Sequence, residues 1–192
     1  MSAIAVGFDF DHTLGTDDKL ERKAFVRIAR AYAMRYGQKP NDDRAAVAID
    51  AALSSFRSGR ITIDEAVAES FASAFGHVDA DAIAGFKNLA VTMASRCVRA
   101  LPNVARMLAA LDAAGVPYAV LTNGWSPLQE SKVAVIGARC PILVSESIGA
   151  RKPSSEAFLQ LAGALGVRPE NAWFVGDDPG ADVVGALAAG MS

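Results

Sequence analysis

The sequence predicts an α/β protein, a doubly wound parallel sheet with a separate all-helical domain inserted after the first strand. Three observations predict it. The chain opens on a short apolar run that stops at two carboxylates, Asp9 and Asp11. From about Lys19 to Arg99 it reads as one helix after another, with no convincing strand. From Leu101 onward, apolar runs of strand length alternate with helical segments, the pattern of right-handed βαβ crossovers and a parallel sheet. The core domain is then discontinuous, residues 1–16 and 100–192, and the helical domain is 17–99.

The first strand is expected over Ile4 to Phe10, delivering Asp9 and Asp11 at its carboxyl end. Ligands of open parallel sheets bind just outside such ends. If the strand persists, the two-residue period puts both carboxylates on one side. Two close carboxylates repel, and a bound cation is the usual remedy. A strand-end turn, where Asp and Thr also cap, is the plainer alternative.

In the helical stretch, Leu20, Phe25, Ile28, Ala29, Tyr32 and Ala33 approximate helical spacing, closed by Gly37 and Pro40. Ala45 to Phe56 forms a second helix, ended near Gly59. Thr62-Ile63-Asp64-Glu65 has the form of a capping box and opens a third, which runs to Gly76. Asp79 or Asp81 starts a fourth. Arg22, Lys23, Arg27 and Arg30 on the first helix read as a solvated face, the ordinary fate of surface charge.

The second half follows in order. A helix from Pro102-Asn103-Val104 ends at Gly115, and Tyr118 to Thr122 is the second strand. Asn123-Gly124 forces a turn, and Pro127 to Ile136 is a helix. Pro141 to Ser145 is the third strand, and Glu156 to Leu165 a helix capped by Ser154 or Ser155. Ala172 to Val175 is the fourth strand, with a last helix over Ala181 to Ala189.

Composition narrows the function classes. The chain has 192 residues and a net charge of −2, with 52% hydrophobic and 21% charged residues, a folded chain with no basic footprint for nucleic acid. No apolar run approaches a membrane span, and the N-terminal run meets Asp9 too soon for a signal peptide, so no membrane partner is expected. Cys97 and Cys140 lack metal spacing and read as small apolar core or half-buried residues, kept reduced in the cytoplasmic location expected of the chain.

Four strand ends thus present polar groups along one sheet edge. They are Asp9 and Asp11, then Thr122 and Asn123, then Arg151 and Lys152, then Asp177, Asp178 and Asp182. Carboxylates beside a hydroxyl and an ammonium suit one kind of chemistry, in which the acids hold Mg²⁺ while the hydroxyl, backbone N–H groups and Lys152 hold a phosphoryl group. No His or Cys set argues for zinc.

On these residues the chain resembles the haloacid dehalogenase (HAD) superfamily, in the branch with a helical cap after the first strand. Asp9-Phe10-Asp11-His12-Thr13-Leu14 resembles the family's first motif, DxDxT, and Leu121-Thr122-Asn123-Gly124 its second. Lys152-Pro153 resembles the third, and Gly176-Asp177-Asp178-Pro179-Gly180-Ala181-Asp182 the GDxxxxD form of the fourth. The resemblance implies that Asp9 is the nucleophile, forming an aspartyl-phosphate, and that Asp11 is the general acid and then base, its carbonyl also a metal ligand. Asp9 and Asp177 are implied as side-chain ligands of Mg²⁺, and Asp182 as a ligand through water or the residue that orients Lys152. Thr122, the Asn123 N–H and Lys152 are implied to neutralise the phosphoryl oxygens. Asp178 is either a supporting acid or a helix N-cap.

Family dehalogenases lack an acid at the position of Asp11, so its presence points to phosphoryl transfer. His12 reads as a turn residue, and Trp125 and Gln129 as core and helix surface or as substrate contacts. The implied activity is a Mg²⁺-dependent phosphatase on a small phosphorylated metabolite, leaning to the phosphoglycolate-phosphatase and nucleotidase members. The alternatives are a phosphomutase, a phospho-receiver, or a truncated, non-catalytic phosphate-binding protein. The chain stops at Ala189-Gly190-Met191-Ser192, where relatives continue into a fifth strand. The fourth strand is therefore expected at an edge with unpaired backbone groups, in a piece of a longer protein or in one that self-associates over that edge.

Overall fold

Residues 4–192 are described by the computed structural model of the protein. They form two compact units, one holding the N-terminal residues to Asp17 together with Val98–Ser192, the other Asp18–Cys97.

In chain order, β1 is Ala5–Phe8 and β2 the two-residue Gly15–Thr16. The helices α1 Leu20–Arg35, α2 Asp42–Arg57, α3 Ile63–Phe75 and α4 Ala80–Cys97 follow, and then β3 Arg99–Ala100. After α5 Val104–Ala113 come β4 Tyr118–Thr122, α6 Leu128–Val135, β5 Ile142–Val144, the short α7 Ser145–Ile148 and α8 Ser155–Leu165. The chain closes with β6 Ala172–Val175, a wide π-helical turn Pro179–Val184 and one α turn, α9 Gly185–Ala188.

The main sheet is parallel in the order β5-β4-β1-β6. β1 is central, and the chain builds outward to β5 before crossing to the other side of β1. That reversal leaves the carboxyl ends facing a common crevice. Gly7 in the middle of β1 has a packing reason. A Cβ there would run into the Leu161 side chain and come within 2.8 Å of the Phe174 ring. Leu161 and Phe158 of α8 lie in the core formed with Ala5, Ala119, Leu121 and Ala172.

β1 is shorter than the expected Ile4 to Phe10. Sheet pairing continues one residue further, through Asp9 N–H to the Val175 carbonyl at 2.9 Å. The Phe10 carbonyl then accepts from Thr13, Leu14 and Gly15 N–H at 3.3, 2.9 and 3.0 Å, so the backbone curls. His12 takes φ 60° inside this curl, the turn role expected of it. Because the strand ends early, the alternation argument for Asp11 fails.

The helical unit matches its sequence signals closely. Thr62 and Glu65 form the full reciprocal capping box of α3, and Gly76 ends it in a left-handed conformation. Asn41 caps α2. Asp79, not Asp81, opens α4, its Oδ1 accepting from Ala82 N–H at 2.7 Å. An aromatic cluster fills the interior. Phe71 lies 4.8 Å from Phe25 and 4.9 Å from Tyr32, ring centre to ring centre.

β6 is an edge strand, as expected, but its outer side is not bare. Ser192 N–H donates to the Ala172 carbonyl at 3.1 Å, and the Ser192 carbonyl accepts from Phe174 N–H at 2.9 Å. Among the described residues, no helix is long and apolar enough to cross a membrane.

Candidate active site

The site grows from the carboxyl end of β1. Asp9 is 6% exposed, and Lys152 Nζ donates to its Oδ1 at 2.6 Å. Burial pushes the Asp9 carboxyl up to about 6, although Lys152 pulls the other way. Lys152 is itself buried and donates equally to Asp182 Oδ1, again at 2.6 Å. Its ammonium stands 5.3 Å from the centre of the Phe174 ring.

The loop that carries Lys152 is clamped from β4. The Asn123 side chain accepts from Lys152 N–H at 3.0 Å and donates to the Lys152 carbonyl at 2.9 Å. Thr122, the last residue of β4, is buried. Asn123 thus has a structural duty in its side chain, while the sequence reading concerned its backbone N–H.

After β6 the chain turns through Gly176. A Cβ at that position would clash with the Asp182 carboxylate, so only glycine lets the strand pass this close. Asp182 is 1% exposed, and both of its oxygens are engaged, Oδ1 by Lys152 and Oδ2 by Asp178 N–H at 3.0 Å. Of its two implied roles, this arrangement is the one that orients Lys152. Asp178 takes the N-cap role, accepting from Gly180 and Ala181 N–H at 2.8 and 2.9 Å. Those bonds hold its carboxyl below the ordinary range. They also reshape the predicted helix Ala181 to Ala189, whose first part is the wide π turn that swings Asp182 inward.

One carboxylate oxygen from each of Asp9, Asp177 and Asp182 lies within 4.8 Å of the others. Asp177 is exposed, the other two buried. Hard oxygen donors at this spacing suit a small divalent cation such as Mg²⁺. Three carboxylates against one ammonium leave an excess of negative charge that such a cation would balance.

Asp11 departs from the predicted convergence. Its carboxylate is not one of this cluster but pairs with Lys132, at 2.6 Å to Oδ1 and 2.8 Å to Oδ2. Sequence reasoning missed Lys132. The available signal was its place four residues after Leu128, on the buried face of α6. Trp125 is fully buried and therefore core. Gln129 is buried too, packed so closely on Gly124 that a Cβ there would collide with it. The Arg151 guanidinium is half-buried, which pushes its pKa down, and donates to Ser145 Oγ at 3.4 Å.

Comparison with known proteins agrees with this fold. Residues 5–190 match the family model for haloacid dehalogenase-like hydrolases. Hexitol phosphatase A of Escherichia coli is 28% identical over 185 residues, covering 95% of this chain and 78% of that protein. A phosphoglycolate phosphatase of Xylella fastidiosa is 32% identical over 127 residues, 62% of this chain and 55% of its own. Among solved structures, a HAD phosphatase from Thermococcus onnurineus superimposes with a TM-score of 0.70 at 22% identity, covering 100% of this chain and 84% of that one. The magnesium-bound HAD-hydrolase YfnB of Bacillus subtilis gives 0.69 at 19% identity, covering 100% and 87%.

Proposed function

The chain belongs to the haloacid dehalogenase-like hydrolases, and on that premise we propose that it is a Mg²⁺-dependent phosphatase of a small phosphorylated metabolite, working through a phosphoryl group carried on Asp9. The observation that carries the reading is the single ammonium of Lys152 shared between Asp9 and Asp182, with Asp177 beside them. A buried nucleophile is held in one place there, next to a cluster of oxygens fit for a cation.

On this reading Asp9 attacks phosphorus, and the ester oxygen leaves with a proton from Asp11. Asp11 then takes a proton from the water that releases phosphate, so one residue serves both halves. Asp9, Asp177 and the Asp11 carbonyl would hold Mg²⁺, which when bound would supply charge neutralisation for the phosphoryl oxygens. Lys152, the Thr122 hydroxyl and the Asn123 N–H share that role, and Asp182 keeps Lys152 aimed at Asp9. Asp11 is also the residue that sets phosphatases apart from the dehalogenases of the family.

The relatives named for phosphatases of hexitols and phosphoglycolate support a small organic phosphate as substrate. On the family resemblance, substrate choice is assigned to the helical unit Asp18–Cys97. A cytoplasmic location belongs to the same reading, since Cys97 and Cys140 are free thiols of the kind a reducing compartment preserves.

The test is phosphate release across a panel of sugar, polyol and short acid phosphates, with Mg²⁺ and with chelator, for the wild type and Asp9→Asn. Metal-dependent release that vanishes in Asp9→Asn is expected. Release that survives the substitution would reject Asp9 as nucleophile, and transfer of phosphate between two sugar positions without release would identify a mutase.

A further inference from the structure

Lys132 is a charge in a core position. It sits on the buried face of α6 with Leu128, Gln129 and Val133, and it is 2% exposed. An ammonium removed from water is costly unless opposite charge and hydrogen bonds meet it. Here two carboxylates do. Lys132 Nζ donates to Asp11 Oδ1 at 2.6 Å, to Asp11 Oδ2 at 2.8 Å and to Asp17 Oδ2 at 3.0 Å. The Phe10 ring lies on another side, its centre 5.3 Å from Nζ.

The two-oxygen grip does more than neutralise. A carboxylate held at one oxygen can still swing about its side-chain torsions, whereas one held at both has its plane fixed. Asp17 holds the ammonium from a second direction, so Lys132 cannot simply follow a moving Asp11. The Asp11 backbone is fixed as well, through its bridge to Gly15 and the bond from His12 N–H to the Gly15 carbonyl at 2.8 Å. The Asp11 side chain nonetheless stays 36% exposed, so it is anchored on one side and open on the other.

We propose that Lys132 is a positioning residue for Asp11, setting where its carboxyl group stands when the leaving-group oxygen arrives. The proposal rests on the acid–base role given to Asp11 above. In the first half-reaction the Asp11 O–H proton moves to the bridging oxygen as the P–O bond breaks and the bond from Asp9 to phosphorus forms. In the second, Asp11 takes a proton from the water that attacks phosphorus, and inorganic phosphate and the free Asp9 carboxylate result. Lys132 keeps its own protons throughout.

The test compares kcat/KM for glycerol 1-phosphate, whose alkoxide must be protonated to leave, with p-nitrophenyl phosphate, whose phenolate leaves without help. This parameter reports only steps through formation of the phosphorylated enzyme. The proteins are wild type, Lys132→Met, Asp11→Asn and the double variant, each checked for folding by circular dichroism. Lys132→Gln takes the place of Lys132→Met if the latter does not fold. Loss of position on this scale costs about 10- to 100-fold. That loss is expected on the alkyl ester, with less than about 3-fold on the aryl ester, and no further loss when Lys132→Met is added to Asp11→Asn. Equal losses on both esters, or losses that multiply in the double variant, overturn the proposal. If the wild type hydrolyses neither ester nor any member of the panel above, the phosphatase reading fails separately. Crystal structures then decide the proposal: an Asp11 carboxylate displaced in Lys132→Met supports it, and one left in place overturns it.

Discussion

Lys152 and Asp182 depend on each other more than either depends on solvent. Asp182 accepts from Lys152 and from Asp178 N–H, and it is all but sealed from water. Asp182→Ala therefore leaves an ammonium and an amide short of partners in the interior. Removing one member of a buried pair costs about 3–5 kcal/mol. Asp182→Ala is expected to lose that much in chemical denaturation, and its activity is expected to fall because Lys152 is no longer aimed. A second residue-scale outcome concerns the cation. A ligand that binds only the folded state raises stability, by about 2.7 kcal/mol at a hundred times its dissociation constant. Mg²⁺ is expected to raise Tm in calorimetry, chelator to remove the gain, and Asp177→Ala to abolish the response. Asp9 was legible because it is polar at the end of an apolar run, and Lys152, Asp177 and Asp182 because they follow later strands in the pattern of the family's motifs. Lys132 was harder to read, since its place four residues after Leu128 is a signal only once α6 is known to bury that face.

At the scale of elements, the helix signals were the most legible. The capping box at Thr62 and the terminal glycines act through hydrogen bonds a few residues long, so local sequence suffices to see them. β4 and β6 were also legible in full, as continuous apolar runs of strand length. Other boundaries were not. β1 yields to the curl around the Phe10 carbonyl, and the last helix widens because Asp178 and Asp182 bond across it. Both depend on partners that periodicity does not register. Gly7 tests the element directly. Gly7→Ala would thrust a methyl group against Leu161 and Phe174 where β1 meets α8. Overpacking of this kind typically costs about 1–3 kcal/mol, the loss expected in urea unfolding, with the residues of the site unchanged.

For the molecule as a whole, the two-residue ribbon of β2 and β3 matters out of proportion to its length. Gly15 pairs with Ala100, and Thr16 with Arg99, antiparallel. The chain leaves the α/β unit and returns to it along neighbouring strands, so the residues Asp18–Cys97 are bracketed by two points side by side. A tight Asn-Gly turn can join two such strands. Replacing Asp18–Cys97 by that turn is expected to leave an α/β unit that unfolds in one cooperative transition by circular dichroism. A chain that stays unfolded would show that the helical residues are needed to build the sheet. The ribbon thereby works like a socket. If the single transition is seen, the stretch between Asp17 and Val98 becomes an exchangeable part, and the register of β1 is held by the ribbon and the sheet alone.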